Sequence, residues 1–344
     1  MVLTGLWLAL LGVRVPSPTN GCGCDSGEPM QELTKTAPLY DMLDGNGVRS
    51  HDPSMAKEGH HYYMFCTGPG ISMRISDDTK RWSMPIKVFS KPVSWSATTI
   101  PGSRDFYWAP DISYFNHRWH LYYAVSTFGK NRSAIGLATN ATLDPNSPNY
   151  HWIDEGPVFE SHLTDNFNAI DPNIAFDAQG KPWMSLGSFW SGLKLVELDA
   201  KTGKPIHPTD QPIAIANRER PGAIEAPFIY RHGKFFYLFA SFDFCCRGVN
   251  STYNIRVGRA TSITGPYLDR EGKSMNDGGG TPVLATRGRW HGPGGNSVMR
   301  DGHKDLLIYH SYDAQQNGAP MLRIDPIHWD QEGWPTIPEP VAAH

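Results

Sequence analysis

Three acidic residues of the sequence share a local context that could support acid–base chemistry. Asp52 and Asp171 each directly precede a proline, and Glu225 precedes an Ala-Pro pair. A single Asp-Pro pair most often starts a turn or a strand. Three acids that recur at related positions of one chain indicate a shared site, provided that the fold brings them together.

Carboxyl groups that converge in unequal surroundings are typical of glycoside hydrolysis. One must be protonated to donate to the leaving oxygen, and another must be ionised to activate water. Glu225 lies in the apolar run Ile224–Pro227, which favours its neutral form. His51 and the nearby Arg49 favour the ionised form of Asp52. We therefore predict Glu225 as the general acid and Asp52 as the general base.

A repeated pattern around these acids predicts the fold. Each repeat has an apolar stretch, a polar turn and a strand-like run that ends in Ser or Gly, and long amphipathic helical patterns are missing. A period of about 60 residues has room for four short strands, and a ring of five such sheets buries their faces. The pattern predicts an all-β, five-bladed β-propeller as one catalytic domain over residues 24–344, with two β-sandwiches as the alternative. The repeats open at Pro53, Pro110, Pro172, Pro227 and Ser297.

Composition excludes several functional classes. The 344 residues have a formal net charge of −3 and only 19% charged residues, so a nucleic-acid binder with a basic footprint is not expected. The chain is too apolar to be disordered, and its longest apolar run is too short to span a bilayer. The G-x-S-x-G, phosphate-loop and H-E-x-x-H motifs are missing. A closed propeller leaves little strand edge to pair, so we expect a monomer.

The first residues predict export. The apolar stretch Leu6–Val13 is followed by small and turn-forming residues, which predicts a secretory signal or a disordered start over residues 1–23. Three N-x-[ST] sequons, at Asn131, Asn140 and Asn250, are consistent with a secreted glycoprotein. We therefore expect an extracellular protein.

The five cysteines do not form a metal or redox motif. Cys22, Cys24, Cys66, Cys245 and Cys246 contain no C-x-x-C spacing, and an odd number leaves at least one thiol unpaired in a monomer. The adjacent pair could form a vicinal disulfide or remain two small buried thiols. The sequence leaves the pairing open.

Aromatic residues near the repeat openings could support a sugar-binding cleft. Trp108, Phe189, Trp190 and Phe228 lie close to the acids in the repeat pattern. Sugar rings pack their C–H faces on aromatic faces, but each of these residues could equally belong to the core of a blade.

Taken together, these motifs resemble glycoside hydrolase family 43, and within it the endo-1,5-α-L-arabinanases. The resemblance runs from about residue 39 to residue 334. The segments that carry it are Ser50–Ser54, Trp108–Asp111, Ser133–Thr139, Asn168–Pro172, Gly187–Trp190, Ala223–Phe228 and Ser241–Tyr253.

The resemblance implies an inverting hydrolase that cleaves internal α-1,5-L-arabinofuranosidic bonds of arabinan, a pectin side chain. Asp52 matches the general base, Glu225 the general acid, and Asp171 a third carboxyl that orients the acid and tunes its pKa. The implied substrate contacts are Asp52, Gly136, Asn168, Ala169, Ile170, Asp171, Ser188, Phe189 and Trp190.

One position departs from the family pattern. Related arabinanases resemble G-P-G-H-N in the fifth blade, where the histidine helps hold an ion near the axis, and here Gly295 takes that place. His291 could substitute as a ligand, and a metal-free turn is the alternative. A hard cation such as Ca²⁺, coordinated largely by water, would suit an oxygen-rich channel. No organic cofactor is expected.

Two other functions stay open at this stage. The same fold and acids could serve an exo-acting α-L-arabinofuranosidase or β-xylosidase, because loop lengths around the cleft decide between internal and terminal attack. A propeller that binds arabinan without cleaving it is the other alternative. The intact pair of Asp52 and Glu225 argues against that alternative, since a binding protein needs no acid–base pair.

Overall fold

The computed structural model describes residues 47–219 and 222–338, together with the backbone of Leu43–Asp44. The predicted signal segment, residues 1–23, lies outside the described residues. Within them, five antiparallel sheets of four strands follow one another along the chain, and β1 (Leu43–Asp44) pairs with β5 (Arg81–Trp82). The predicted five-bladed β-propeller is confirmed.

The first two blades occupy the N-terminal part of the described chain. Blade 1 contains β2 (Ser54–Glu58), β3 (His61–Cys66), β4 (Ser72–Ser76) and β6 (Ile86–Lys87). The short helix α1 (Ser96–Thr99) follows it. Blade 2 contains β7 (Trp108–Phe115), β8 (Arg118–Val125), β9 (Ser133–Asn140) and β10 (Ile153–Ser161).

Three further blades complete the ring. Blade 3 contains β11 (Asn173–Phe176), β12 (Pro182–Leu186), β13 (Leu193–Glu197) and β14 (Ile213–Ala216). Blade 4 contains β15 (Ile224–His232), β16 (Phe235–Phe242), β17 (Asn254–Ala260) and β18 (Thr281–Leu284). Blade 5 contains β19 (Trp290–Asp301), β20 (Lys304–Asp313), β21 (Ala319–Trp329) and β22 (Pro335–Thr336). Short 3₁₀ turns lie at Gly248–Asn250, Met275–Asp277 and Ala314–Gln316.

The first strand of each blade contacts the first strand of the next, and β19 returns to β2. The segment Val48–Ser50 then closes the ring by pairing with β21: Ser50 N donates to Pro320 O over 3.1 Å, and Leu322 N donates to Val48 O over 2.9 Å. Apolar side chains of neighbouring blades pack between the sheets, as Phe65 of blade 1 and Leu121 of blade 2 do in one shared cluster. Closure therefore joins residues that are distant in sequence around one axis.

Every innermost strand opens on a residue with left-handed backbone. The five φ values lie between 40° and 57°, in the region that favours glycine. Each of these residues except the last precedes a proline, which restricts the backbone of the residue before it. The five residues are Asp52, Ala109, Asp171, Ala226 and Gly295.

This backbone feature corrects the repeat alignment at two points. Gly295 is the left-handed residue of blade 5, so Asn296, and not Ser297, corresponds to the blade-opening prolines. The strand register agrees, because Glu225 and Gly294 occupy the same place before matching bulges in β15 and β19. Asp52 and Asp171 are therefore equivalent, whereas Glu225 lies one residue earlier in its blade.

Candidate active site

Asp52 lies near the propeller axis, two residues before β2 begins. Three polar side chains contact its carboxylate. Its Oδ2 lies 2.7 Å from His51 Nδ1 and accepts a hydrogen bond from Thr67 Oγ1, also over 2.7 Å. Its Oδ1 lies 3.7 Å from His310 Nδ1. Burial alone would raise the pKa of Asp52, but His51, His310 and Thr67 together lower it to about 2. The group is therefore ionised near neutral pH.

Glu225 lies in β15 with 9% of its surface exposed, in surroundings that favour the protonated acid. Ser188 Oγ donates to its Oε2 over 2.6 Å, and the Tyr253 hydroxyl donates to its Oε1. Burial raises the pKa of Glu225 to about 7; the Ser188 hydrogen bond opposes this rise, and the negative charge of Asp52 adds to it. The two acids are thus kept in opposite protonation states, as general acid–base chemistry requires.

Asp171 interacts electrostatically with both of the other acids. Its Oδ2 accepts a hydrogen bond from the backbone N–H of Ala226, the residue after Glu225, over 3.0 Å. Burial raises the pKa of Asp171 well above its usual range, and the charges of Glu225 and Asp52 add to that effect. The structure therefore brings all three predicted acids into one electrostatically coupled cluster.

The three residues before Asp171 are buried, and they anchor its position. Asn168 Oδ1 accepts from Ser133 Oγ over 2.6 Å, and the N–H of Ala169 donates to Ser161 Oγ over 2.9 Å. Because these side chains have little exposed surface, they hold the Asp171 backbone against blade 2.

The turn Ser188–Trp190 presents aromatic surface beside the acid. Phe189 and Trp190 both have left-handed backbone, with φ values of 53° and 44°. Such conformations cost on the order of 1–3 kcal/mol for bulky residues and cluster at functional sites. Trp190 is 42% exposed, and the Phe189 ring lies 6.0 Å from that of Phe244. The turn can therefore offer a platform to a sugar ring next to Glu225.

Gly136 has a packing role that the sequence did not reveal. It lies in β9, where an added Cβ would be 2.6 Å from ring atoms of both Trp95 and Tyr123. Trp95 donates from Nε1 to Asp154 over 3.2 Å. Because Gly136 has no side chain, the Trp95 ring can pack directly against β9. Trp95 and Gly136 are distant in sequence, so no local motif predicts this contact.

The other two aromatic candidates, Trp108 and Phe228, lie at different places along the axis. Trp108 begins β7 at the register position that Glu225 occupies in its own blade, and it is half-buried. Phe228 instead lines an axial cavity of about 540 Å³, together with Asp111 and Asn173. Trp108 therefore remains a candidate for the acid-bearing end of the axis.

The structure places a second histidine, His310, near the predicted base and the axis. His291 belongs to neither group of potential ligands found among the described residues, and one of those groups combines His51, Asp52 and His310. His310 is fully buried, and its Nε2 has no hydrogen-bond partner in the described part of the chain. The side-chain amide nitrogen and oxygen of Asn296 are also buried and have no hydrogen-bond partner among the described residues.

The backbone of Asp52 selects one tautomer of His310. Burial, followed by the nearby His51, lowers the pKa of His310 well below its usual range, so the ring is neutral. The N–H of Asp52 donates to His310 Nδ1 over 3.2 Å, which places the ring proton on Nε2, where it can donate to water. His310 would therefore contact an axial ion through a bound water, and the expectation of a ligand at His291 stays a prediction.

The cysteine and sequon predictions are partly resolved. Cys245 and Cys246 form a vicinal disulfide, Cys66 is also disulfide-bonded, and no cysteine among the described residues is free. Asn131 and Asn140 are buried, whereas Asn250 is exposed. Only Asn250 among the three sequons therefore presents its amide at the surface of the folded protein. No helix within the described ranges is long and apolar enough to cross a membrane.

Comparison with known proteins identifies the family. The sequence model of glycosyl hydrolases family 43 matches residues 47–335. An extracellular endo-α-(1→5)-L-arabinanase of Bacillus subtilis is 45% identical, over 83% of this chain and 87% of that protein. An extracellular exo-α-(1→5)-L-arabinofuranosidase of Cellvibrio japonicus is also 45% identical, over 85% of this chain and 87% of that protein.

A solved structure gives the same result. The α-L-arabinanase of Cellvibrio cellulosa complexed with arabinohexaose superimposes with a TM-score of 0.82 at 43% identity, covering 87% of this chain and 96% of that one. The fold, the three coupled acids and these similarities agree, and the chain belongs to glycosyl hydrolases family 43 and is a glycoside hydrolase.

Proposed function

We propose that this protein is a secreted, inverting endo-1,5-α-L-arabinanase. The observation that carries the proposal is the convergence of two carboxyl groups in opposite surroundings: His51 and Thr67 contact Asp52 and lower its pKa to about 2, whereas Glu225 is buried beside Ser188, and burial raises its pKa to about 7. Arabinan is the proposed substrate because relatives at 45% identity are named for that linkage. Export is supported by the apolar N-terminal stretch Leu6–Val13 and by the two relatives, which are named as extracellular enzymes.

In the proposed mechanism Glu225 protonates the glycosidic oxygen as the C–O bond breaks. Asp52 accepts a proton from a water molecule that attacks the anomeric carbon from the opposite face, so the configuration inverts. The hydroxyls of Ser188 and Tyr253 donate to the Glu225 carboxylate after proton transfer and stabilise it. Asp52 keeps its position through His51 and Thr67.

Asp171 acts through Glu225 rather than on the reacting atoms. Its hydrogen bond to the N–H of Ala226 fixes the backbone that carries the acid. Both Asp171 and Glu225 have raised pKa values, so the pair keeps a proton at a pH where Asp52 is ionised. A cation bound through water beside His310 would add positive charge near Asp52 and so stabilise its ionised form.

An exo-acting enzyme is the second candidate, because one relative at equal identity is named an exo-arabinofuranosidase. The product profile on linear 1,5-α-L-arabinan separates the two. A spread of short oligosaccharides at early times supports endo cleavage, whereas a single small product from the start supports exo attack.

Two variants test the assignment of the acids in the same assay. Glu225→Gln and Asp52→Asn should each lose activity by about a hundredfold to ten-thousandfold, and Glu271→Gln, at an exposed site, serves as the matched control. Full activity in either acid variant would contradict the proposed mechanism. Binding of arabinan without products from the wild type would contradict catalysis altogether.

A further inference from the structure

The loop of residues 243–253, between β16 and β17, touches the surroundings of both catalytic acids. At its end, the Tyr253 hydroxyl donates to Glu225. Near its start, Phe244 packs against Phe189, which follows the Ser188 ligand of the same acid. The middle of this loop carries the Cys245–Cys246 disulfide.

Cys246 lies against the histidine that holds the base. Its Sγ is 3.8 Å from His51 Nε2, and its N–H donates to the Tyr312 hydroxyl over 2.8 Å. Tyr312 Oη in turn lies 3.1 Å from His51 Nε2, and His51 Nδ1 lies 2.7 Å from Asp52. A continuous set of contacts therefore runs from the disulfide to the carboxylate.

The His51 ring has little freedom while these contacts hold. It is 4% exposed, and one face stacks on His310 with ring centroids 3.8 Å apart. Cys246 and Tyr312 enclose its Nε2 side, while Nδ1 faces Asp52. Moving Cys246 would remove the packing that fixes this edge of the imidazole.

The disulfide constrains the backbone at the point of contact. Cys246 has a φ of 66°, a conformation that is unfavourable for a residue with a side chain. The rest of the loop has its own anchors, because Thr252 N donates to Phe244 O over 2.9 Å and Asp243 accepts from Arg218 over 2.7 Å. Cleavage of the S–S bond would therefore release Cys246 locally and leave the loop attached at both ends.

We propose that the Cys245–Cys246 disulfide is a positioning element for the general base, and that a dithiol reductant switches turnover off reversibly. This inference rests on the proposed role of Asp52. In the reaction, the S–S bond breaks and the two cysteines gain two electrons and two protons as thiols. The reductant loses the same electrons and protons and closes to a cyclic disulfide. Both cysteines are partly exposed, so a small dithiol can reach them.

The first test compares kcat and KM on arabinohexaose before and after treatment with dithiothreitol. A displacement of the base by about 1 Å corresponds to a loss of about 100-fold in rate. We expect kcat to fall at least tenfold, KM to change less than twofold, and reoxidation to restore kcat. A general loss of folded structure would instead lower the melting temperature of the reduced protein to near the assay temperature. In that case reoxidation at the assay temperature would not restore kcat. Unchanged kcat in a protein whose two thiols are shown by labelling to be free would overturn the proposal.

Variants separate this disulfide from the one at Cys66. The double variant Cys245→Ala/Cys246→Ala should match the reduced wild type in kcat and should not respond to dithiothreitol. Cys66→Ala should keep the dithiol response relative to its own untreated rate. The proposal is overturned if the double variant keeps wild-type kcat, or if Cys66→Ala abolishes the response. Asp52→Asn, assayed alongside, tests the base itself, so an inactive Asp52→Asn with a fully active double variant would refute only the role of the disulfide.

Discussion

Replacement of Gly295 by alanine is expected to displace the general base while the propeller stays folded. An added Cβ at this position would lie 2.3 Å from Asp52 Oδ1 and 2.8 Å from His310 Nδ1, and the residue has a φ of +56°. Ordinary contact begins near 3.4 Å, so the carboxylate must move by about 1 Å, which corresponds to a rate loss of about 100-fold. The left-handed backbone adds a destabilisation of about 1–2 kcal/mol.

Gly302→Ala is the matched control for this variant. Gly302 belongs to the hairpin turn that follows β19, has a φ of +60°, and has nothing within 4 Å of an added Cβ. Both variants should lose similar stability in urea unfolding, but only Gly295→Ala should lose kcat on arabino-oligosaccharides. Wild-type kcat in Gly295→Ala would refute the reasoning, because it would mean that Asp52 can move without consequence.

Three further predictions concern the acid, the platform and the scaffold. The pKa of Glu225 at about 7 predicts that kcat/KM falls above that pH as the acid loses its proton. Ser188→Ala should move this fall to higher pH, because the Ser188 hydrogen bond lowers the pKa of Glu225. An unchanged pH profile would contradict the assignment of Glu225 as the general acid. Trp190→Ala should raise KM by about tenfold, for a loss of about 1–1.5 kcal/mol of aromatic contact, and leave kcat intact; unchanged KM would exclude the platform. Asp305→Ala should lower the free energy of unfolding by about 3 kcal/mol, because the buried carboxylate accepts hydrogen bonds from Arg300, Tyr230 and Trp329, each worth about 1 kcal/mol. Normal stability in urea would count against that network.

The architecture and the three acids were predictable because the repeat is carried by short local patterns. Proline and its preceding residue mark the first four blade openings, and ring closure then requires that Asp52, Asp171 and Glu225 converge. The bulge register was not predictable from spacing alone. A bulge inserts one residue without changing the pattern of residue types, so the fifth opening was placed at Ser297 instead of Asn296.

The residues that support the acids come from distant parts of the chain, and no local signal marks them. Tyr253 contacts Glu225 from the loop between β16 and β17, and His310 contacts Asp52 from blade 5. The expectation of a metal ligand at His291 stays a prediction, and the structure adds a second histidine near the axis, His310, that neighbours in sequence could not indicate. The pairing of Cys245 with Cys246 was likewise left open, because adjacent cysteines can form a disulfide or remain two thiols.

The configuration of the first product tests the central claim most directly. ¹H NMR of the reducing end released from arabinohexaose, recorded before mutarotation, reports whether water attacks opposite the leaving group. The account predicts that the β-anomer appears first from the α-linked substrate, because Asp52 activates water on the face opposite Glu225. Initial release of the α-anomer would contradict it and would require Asp52 to act as a nucleophile instead.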